Sequence, residues 1–302
     1  MNILRRALYK IFVNNIIINT LNLPVVGIII PPMVGLYYGT LDIWGDDWKI
    51  ISEHKEVHEF IFTVLSVITI FILFVRGVSE QIKSKISIKY NELLEELILL
   101  IGDLVKKKKD RFHKKAKELK RGVDAFKLIT QPKDQINQAL DGTKSFISKG
   151  FGIDRKNICI TIIAGEPDTD TWWYEFQCDT QWQHTKPKVI MTSNSTAKYC
   201  YNNGESIFIP DLRKGVKEGI FYESERYNRR KSGSLYCKPV RVEIDNKSYI
   251  YIFTIVIYGE LLCTPYDLDE CNATEKIFDQ ISDRIELELY LNSMKKYRES
   301  GR

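Results

Sequence analysis

The stretch Ser234–Tyr258, SLYCKPVRVEIDNKSYIYIFTIVIY, decides the fold of the larger part of this chain. Two runs rich in β-branched and aromatic residues, Ser234–Ile244 and Tyr249–Tyr258, flank the turn-forming tetrapeptide Asp245-Asn246-Lys247-Ser248. That pattern reads as an antiparallel hairpin of two long strands. Working back toward the N-terminus, Asn157–Ala164 is a third β-rich run. A polar loop with Glu166, Asp168 and Asp170 follows it, and Trp173–Cys178 is a fourth strand candidate. Ser195–Asn202 reads as a short helix with Gly204 as its C-cap, before a strand at Ser206–Ile209 and a long polar loop over 211–233. Beyond the hairpin, Ile277, Ile281, Ile285 and Leu289 mark one face of a closing helix over Asn272–Lys296.

The N-terminal part has a different character. Residues 11–41 carry no charged side chain, and neither do Phe60–Val75. A bilayer core needs about 20 apolar helical residues. The first run meets that length, and the second meets it if His58, Glu59 and Arg76 reach outward. No A-x-A-like cleavage site precedes Asp42, so the first run reads as a retained span. Arg5, Arg6, Lys10, Arg76, Lys83, Lys85 and Lys89 lie outside the pair of spans. The connecting segment has only Lys49 and Lys55, against Asp42, Asp46, Asp47, Glu53, Glu56 and Glu59. The positive-inside rule then places both termini in the cytosol with a short acidic hairpin facing out, and the expected location is a bacterial inner membrane.

Asn15, Asn19 and Asn22 share one face of the first span, with Asn14 beside it, and are candidates for an oligomer seam or polar pore lining. The alternative places them at the cytosolic headgroup level. Pro24, Pro31 and Pro32, with Gly27 and Gly35, predict kinks or a break. Tyr37, Tyr38, Trp44 and Trp48 read as an outer aromatic belt.

A long helix is expected next. Ile86, Tyr90, Leu93, Leu97, Leu100 and Leu104 follow a 4–3 spacing, and Phe112, Ala116, Leu119, Val123 and Phe126 resume it with an offset. Such a stripe serves either self-association or docking on the chain's own domain. The cluster Lys106–Lys109, Arg111, Lys114, Lys115 and Lys117 reads as a solvated face or a contact for lipid head groups or nucleic acid. Pro132 should end this helix, with a short second one over 133–150. The expected organisation is a transmembrane hairpin over 1–78, a helical connector over 79–150 and a globular domain over 151–302. The class is α+β, with a central antiparallel sheet.

The six cysteines show no C-x-x-C pair, and the predicted topology places them all in a reducing compartment, so free thiols are expected. The sequons at Asn194, Asn246 and Asn272 would suit an extracellular domain, but the charge asymmetry outweighs them.

The order of elements, with Asn203–Asp211 resembling a helix-G-E-x-x-x-x-P-D stretch and Gly233–Val240 resembling the S-x-x-x-x-P-V strand, is similar to a GAF domain over roughly 155–298. That resemblance implies a sensing domain for a small molecule or partner. The N-K-F-D-E signature of cyclic-nucleotide-binding members and the Cys-His chromophore pair are both absent.

No G-x-x-x-x-G-K-[ST], G-x-S-x-G or H-E-x-x-H occurs, and His184 is the sole histidine after residue 150, so neither an enzyme nor a cofactor is expected. Asp168, Asp170, Glu175 and Asp179 read as solvated carboxylates. The ligand candidates are Arg226, Arg229, Arg230 and Lys231 in the long loop, with Tyr227 and Tyr222 interleaved for stacking. Trp172 and Trp173 are candidates for a second aromatic surface, although on a strand one of them must point inward. The expected partner is an anionic small molecule, nucleic acid or protein. An input domain without an output domain makes the membrane segment the expected output. The chain is thus expected to be a homo-oligomeric, toxin-like membrane effector, similar in architecture to those of anti-phage systems. The alternative is a membrane-tethered binding scaffold.

Overall fold

The structure is a computed structural model, and the described residues are 24–44, 47–120, 126, 131–166, 169–178 and 185–300. The chain divides into two compact units, Met1–Asn91 and Glu92–Arg302. Asn14, Asn15, Asn19 and Asn22, the flanking Arg5, Arg6 and Lys10, and Asp168, Asp179 and His184 lie outside the described residues.

In the first unit, α1 (Pro24–Trp44) and the single turn α2 (Lys49–Ser52) precede the start of α3 (Lys55–Glu118). Helix α1 runs through Pro31 and Pro32 without interruption, so the expected break does not occur there. Windows at Val26–Ile43 and Lys55–Gln81 are long and apolar enough to cross a membrane. None of the first window and 11% of the second is buried, which is not how the core helices of a soluble protein sit. The two helices run antiparallel: Tyr37 Oη meets His58 Nδ1 at 2.8 Å, Tyr38 packs on Phe62, and the Arg76 guanidinium lies against Gly27. Only a residue without Cβ admits that approach, because a Cβ at Gly27 would fall within the guanidinium.

The second unit is α+β. Helix α4 (Pro132–Phe151) starts with Pro132 at its first turn and stops at Gly152, whose φ of 68° suits a residue without Cβ. Pro132 thus opens a helix, whereas α3 already ends at Glu118. Strands β1 (Ile158–Glu166) and β2 (Thr171–Gln177) come next, then helices α5 (Pro187–Thr192) and α6 (Thr196–Asn203) and strand β3 (Ile207–Ile209). Helices α7 (Leu212–Lys217) and α8 (Glu225–Arg230) lead to β4 (Gly233–Ile244), β5 (Lys247–Tyr258) and the closing helix α9 (Leu268–Ser300). The five strands form one antiparallel sheet in the order β2-β1-β5-β4-β3. The β4–β5 turn is two residues, with Asp245 at φ 53°.

The strict alternation of the strands gives the sheet two apolar faces. On one, Ile160, Ile162, Tyr236, Tyr251, Phe253 and Ile255 are buried beneath α4 and α9. Phe278 of α9 packs against Tyr236 and Phe151, and the hydroxyls of Tyr236 and Tyr251 reach Asp279 and Ser293 of the same helix. On the other face, Cys159, Ile163, Leu235, Cys237, Ile252 and Val256 form a core with Met191, Ala197, Leu212 and Tyr227 from α5–α8.

Leu93, Leu97 and Leu104 of the α3 stripe are buried. Leu93 and Leu100 lie against Gly150 and Gly142 of α4, so this part of the stripe docks on its own domain.

A candidate ligand cavity

The loop expected over 211–233 holds two short helices. Asp211 caps α7 by accepting from the Arg213 N–H, and Ser224 caps α8 by accepting from the Tyr227 N–H. Arg226 and Arg230 of α8 then lie against Tyr258 and Gly259, at the end of the central strand β5. Between α5–α8 and the strands lies a cavity of about 730 Å³.

Its floor comes from β1, β5 and β4. Thr161 and Thr254 stand opposite each other in the β1–β5 ladder, and both are buried. Ile163, Leu235 and Val256 surround them with apolar surface. Tyr174 and Tyr258 form walls. The Tyr174 hydroxyl donates to the Thr185 carbonyl at 2.7 Å. Burial raises both phenols well above their ordinary range, so they stay neutral and act as hydrogen-bonding groups without charge. The start of α6 (Ser195, Thr196, Ala197) closes another side. Ser195 caps that helix through the Lys198 N–H, and Thr196 donates to the Ile220 carbonyl.

The mouth is basic. Lys156, Arg226, Arg229 and Arg230 line it, with Glu225 as the one lining carboxylate among the described residues. The Arg226 guanidinium lies 4.7 Å from the Tyr258 ring centroid and donates to the Lys156 carbonyl, which fixes it at the rim. Arg229 is exposed and pairs loosely with Glu225 at 3.5 Å. Arg230 lays its aliphatic stem over Gly259. Such a site offers guanidinium forks to an anionic group, two neutral phenols, and a mixed floor in which two threonine hydroxyls stand among apolar side chains.

Arg226, Arg229 and Arg230 therefore gather at one cavity. Lys231 caps α8 in the left-handed region, at φ 51°, and does not line the cavity. Tyr227 is 5% exposed and packs edge-on against Phe221, so its ring belongs to the core and is out of reach of an external base. The tryptophans do not make one surface. Trp172 covers Gly165 and meets Tyr201 edge-on, whereas Trp173 donates to Glu175 at 2.8 Å. Glu175 is not a solvated carboxylate, because Lys296 of α9 pairs with it at 2.8 Å and its side chain is 9% exposed.

Sequence reading missed Lys156, Thr161, Thr254, Tyr174 and Tyr258 as cavity residues. The available signal was a threonine in the middle of each of two otherwise apolar strands. Placing both on one face needs the β1–β5 register, which pairs strands nearly a hundred residues apart.

The chain matches no family model and no curated protein.

Proposed function

We propose that this chain is a bacterial inner-membrane effector. Its cytosolic, GAF-like unit binds an anionic small molecule in the cavity, and binding alters the two-span bundle so that it permeabilises the membrane, as in anti-phage defence. The observation that carries the sensing half is the cavity itself: a basic mouth over a floor that sets the hydroxyls of Thr161 and Thr254 among Ile163, Leu235 and Val256. A cavity of about 730 Å³ lies in the size range of small-molecule sites, which favours a small molecule over a nucleic-acid strand. The membrane half is supported by two exposed apolar helices of spanning length and by the Lys/Arg asymmetry around them. A ligand can switch the bundle only through different affinities for its two states.

The test is expression in bacteria with a membrane-potential dye, comparing wild type with Arg226→Ala/Arg230→Ala and with the cavity-filling Thr161→Trp at equal membrane levels. Depolarisation by wild type with a shifted threshold in the variants is expected. Stable membrane insertion without depolarisation would replace this reading with a tethered scaffold. Depolarisation identical in all three would remove the cavity from the mechanism.

A further inference from the structure

Cys263 and Cys271 stand on the two sides of the turn that leads from β5 into α9, with their sulfurs 3.1 Å apart. Both are buried, at 5% and 7% exposure, against none for Cys200 and Cys237. The segment between and around them is tied at several points. Asp267 caps α9 by accepting from the Glu270 N–H, Glu270 accepts from the Thr264 N–H, and Ser234 accepts from the Leu262 N–H. The two thiols are therefore held in contact by the fold. Cys271 lies at the end of the first turn of a 33-residue helix, where the helix dipole favours a thiolate, and its thiol also reaches the Thr264 carbonyl at 3.4 Å. The hydrogen bond from Cys263 lowers the Cys271 thiol below its usual range, against burial and the carboxylates of Glu270, Asp267 and Glu275.

The fold holds a second thiol pair for comparison. Cys200 and Cys237 are fully buried, and the hydrogen bond with Cys237 together with burial raises the Cys200 thiol far above its usual range. In the first pair the two sulfurs face each other, whereas the Cys200 thiol is turned to the Cys237 carbonyl at 3.7 Å.

We propose that Cys263 and Cys271 form a redox-modification site, a dithiol that a hydroperoxide converts into an intramolecular disulfide. With hydrogen peroxide, the Cys271 thiolate attacks one peroxide oxygen and the O–O bond breaks. Cys271 becomes a sulfenic acid, and the other oxygen leaves as hydroxide and takes up a proton to become water. The Cys263 sulfur then gives up its proton and attacks the sulfenic sulfur. The S–O bond breaks, a second water leaves, and the S–S bond forms. Two thiols have lost two electrons and two protons, and one peroxide has become two waters. The sulfurs need to close only from contact to the bonded distance of about 2 Å.

The experiment uses the full chain in detergent, treated with graded hydrogen peroxide, denatured, alkylated and digested with trypsin. Both cysteines fall in the single tryptic peptide 248–276. The expected product is that peptide, unalkylated and lighter by about 2 Da, the loss of two hydrogens. It should appear at doses that leave Cys159, Cys200 and Cys237 alkylatable, and a dithiol reductant should reverse it. Cys263→Ser should leave a sulfenic acid at Cys271 that a dimedone probe captures, and Cys271→Ser should leave Cys263 alkylatable. If the peptide keeps both alkyl groups at doses that oxidise the buried cysteines, or if the Cys200–Cys237 pair oxidises first, the assignment is overturned.

Discussion

Lys108 Nζ lies 2.6 Å from Glu288 Oε1, and that glutamate side chain is only 2% exposed. Arg284 Nη1 approaches the same oxygen at 2.8 Å without the alignment of a hydrogen bond. A member of the basic run on α3 is thus committed to a buried carboxylate on α9. Helix α9 is tied in turn to the sheet: Tyr236 of β4 donates to Asp279, and Lys238 of β4 bridges Asp283 and Glu286. A polar chain of contacts therefore runs from β4, whose Leu235 lines the cavity, through α9 to α3.

Breaking a buried pair from one side leaves a charge without compensation, at a cost of about 3–5 kcal/mol. Glu288→Gln strands both Lys108 and Arg284, so its loss should lie in that range. Lys108→Met leaves Arg284 to neutralise the carboxylate and should cost clearly less. Denaturant titration of the full chain in mild detergent measures both. Equal losses would mean that Arg284 does not share the charge.

The strands, the hairpin turn, the α6 boundaries and the closing helix were legible because each carries a strong local signal. Ser234–Tyr258 holds its β pattern unbroken, and Gly204 takes the left-handed φ of 72° that a C-cap requires. Helix α9 begins four residues before Asn272, because Asp267 is its cap and the intervening residues carry no apolar period. Helices α7 and α8 were missed because six residues are too few to show periodicity. Their Asp211 and Ser224 caps were the only cue. Lys108–Glu288 and Glu175–Lys296 were beyond reach, since long-range partners follow from packing and not from local pattern. The fate of Tyr227 followed the same rule: it sits among cations in the sequence and among apolar side chains in space.

Gly233 opens β4 at φ 151°, and a Cβ there would sit 2.0 Å from the Ile257 carbonyl oxygen. The obstacle is strand backbone, held by its pairing to β1 and β4, and cannot swing aside. Gly233→Ala should therefore destabilise by several kcal/mol, in the range of severe core lesions. Gly204→Ala faces open space and suffers only the left-handed backbone, so about 1–2 kcal/mol is expected. Thermal melting of the two variants side by side gives the order. A milder effect at Gly233 would contradict the β4–β5 register.

Glu175 offers a pH signature. Burial pushes its carboxyl up, but the hydrogen bonds from Lys296 and Trp173 together outweigh that and leave it lowered. A carboxyl that is lowered in the fold stabilises above its unfolded pKa of about 4.3, and that contribution disappears as pH falls through the folded value. Glu175→Gln should therefore melt below wild type at neutral pH, with the gap closing at acid pH, below that range. A gap independent of pH would assign the loss to packing alone.

Tyr227, Arg226 and Arg229 are neighbours on α8, and their environments predict three different outcomes. Tyr227 is in the core against Phe221, so Tyr227→Ala removes a buried aromatic ring and should cost about 3–5 kcal/mol. Arg229 is 76% exposed and pairs loosely with the still more exposed Glu225, at 91%, so Arg229→Ala should stay within about 0.5 kcal/mol. Arg226 falls between them: its guanidinium stacks on Tyr258 and donates to the Lys156 carbonyl, and losing the stacking should cost about 1–2 kcal/mol. Denaturation curves of the three variants test this order. The order also governs how binding results are read: Arg229→Ala reports on the ligand alone, whereas a defect in Tyr227→Ala reports on folding. If Tyr227→Ala proves as mild as Arg229→Ala, the tyrosine is not held in the core and its ring is available to a ligand after all.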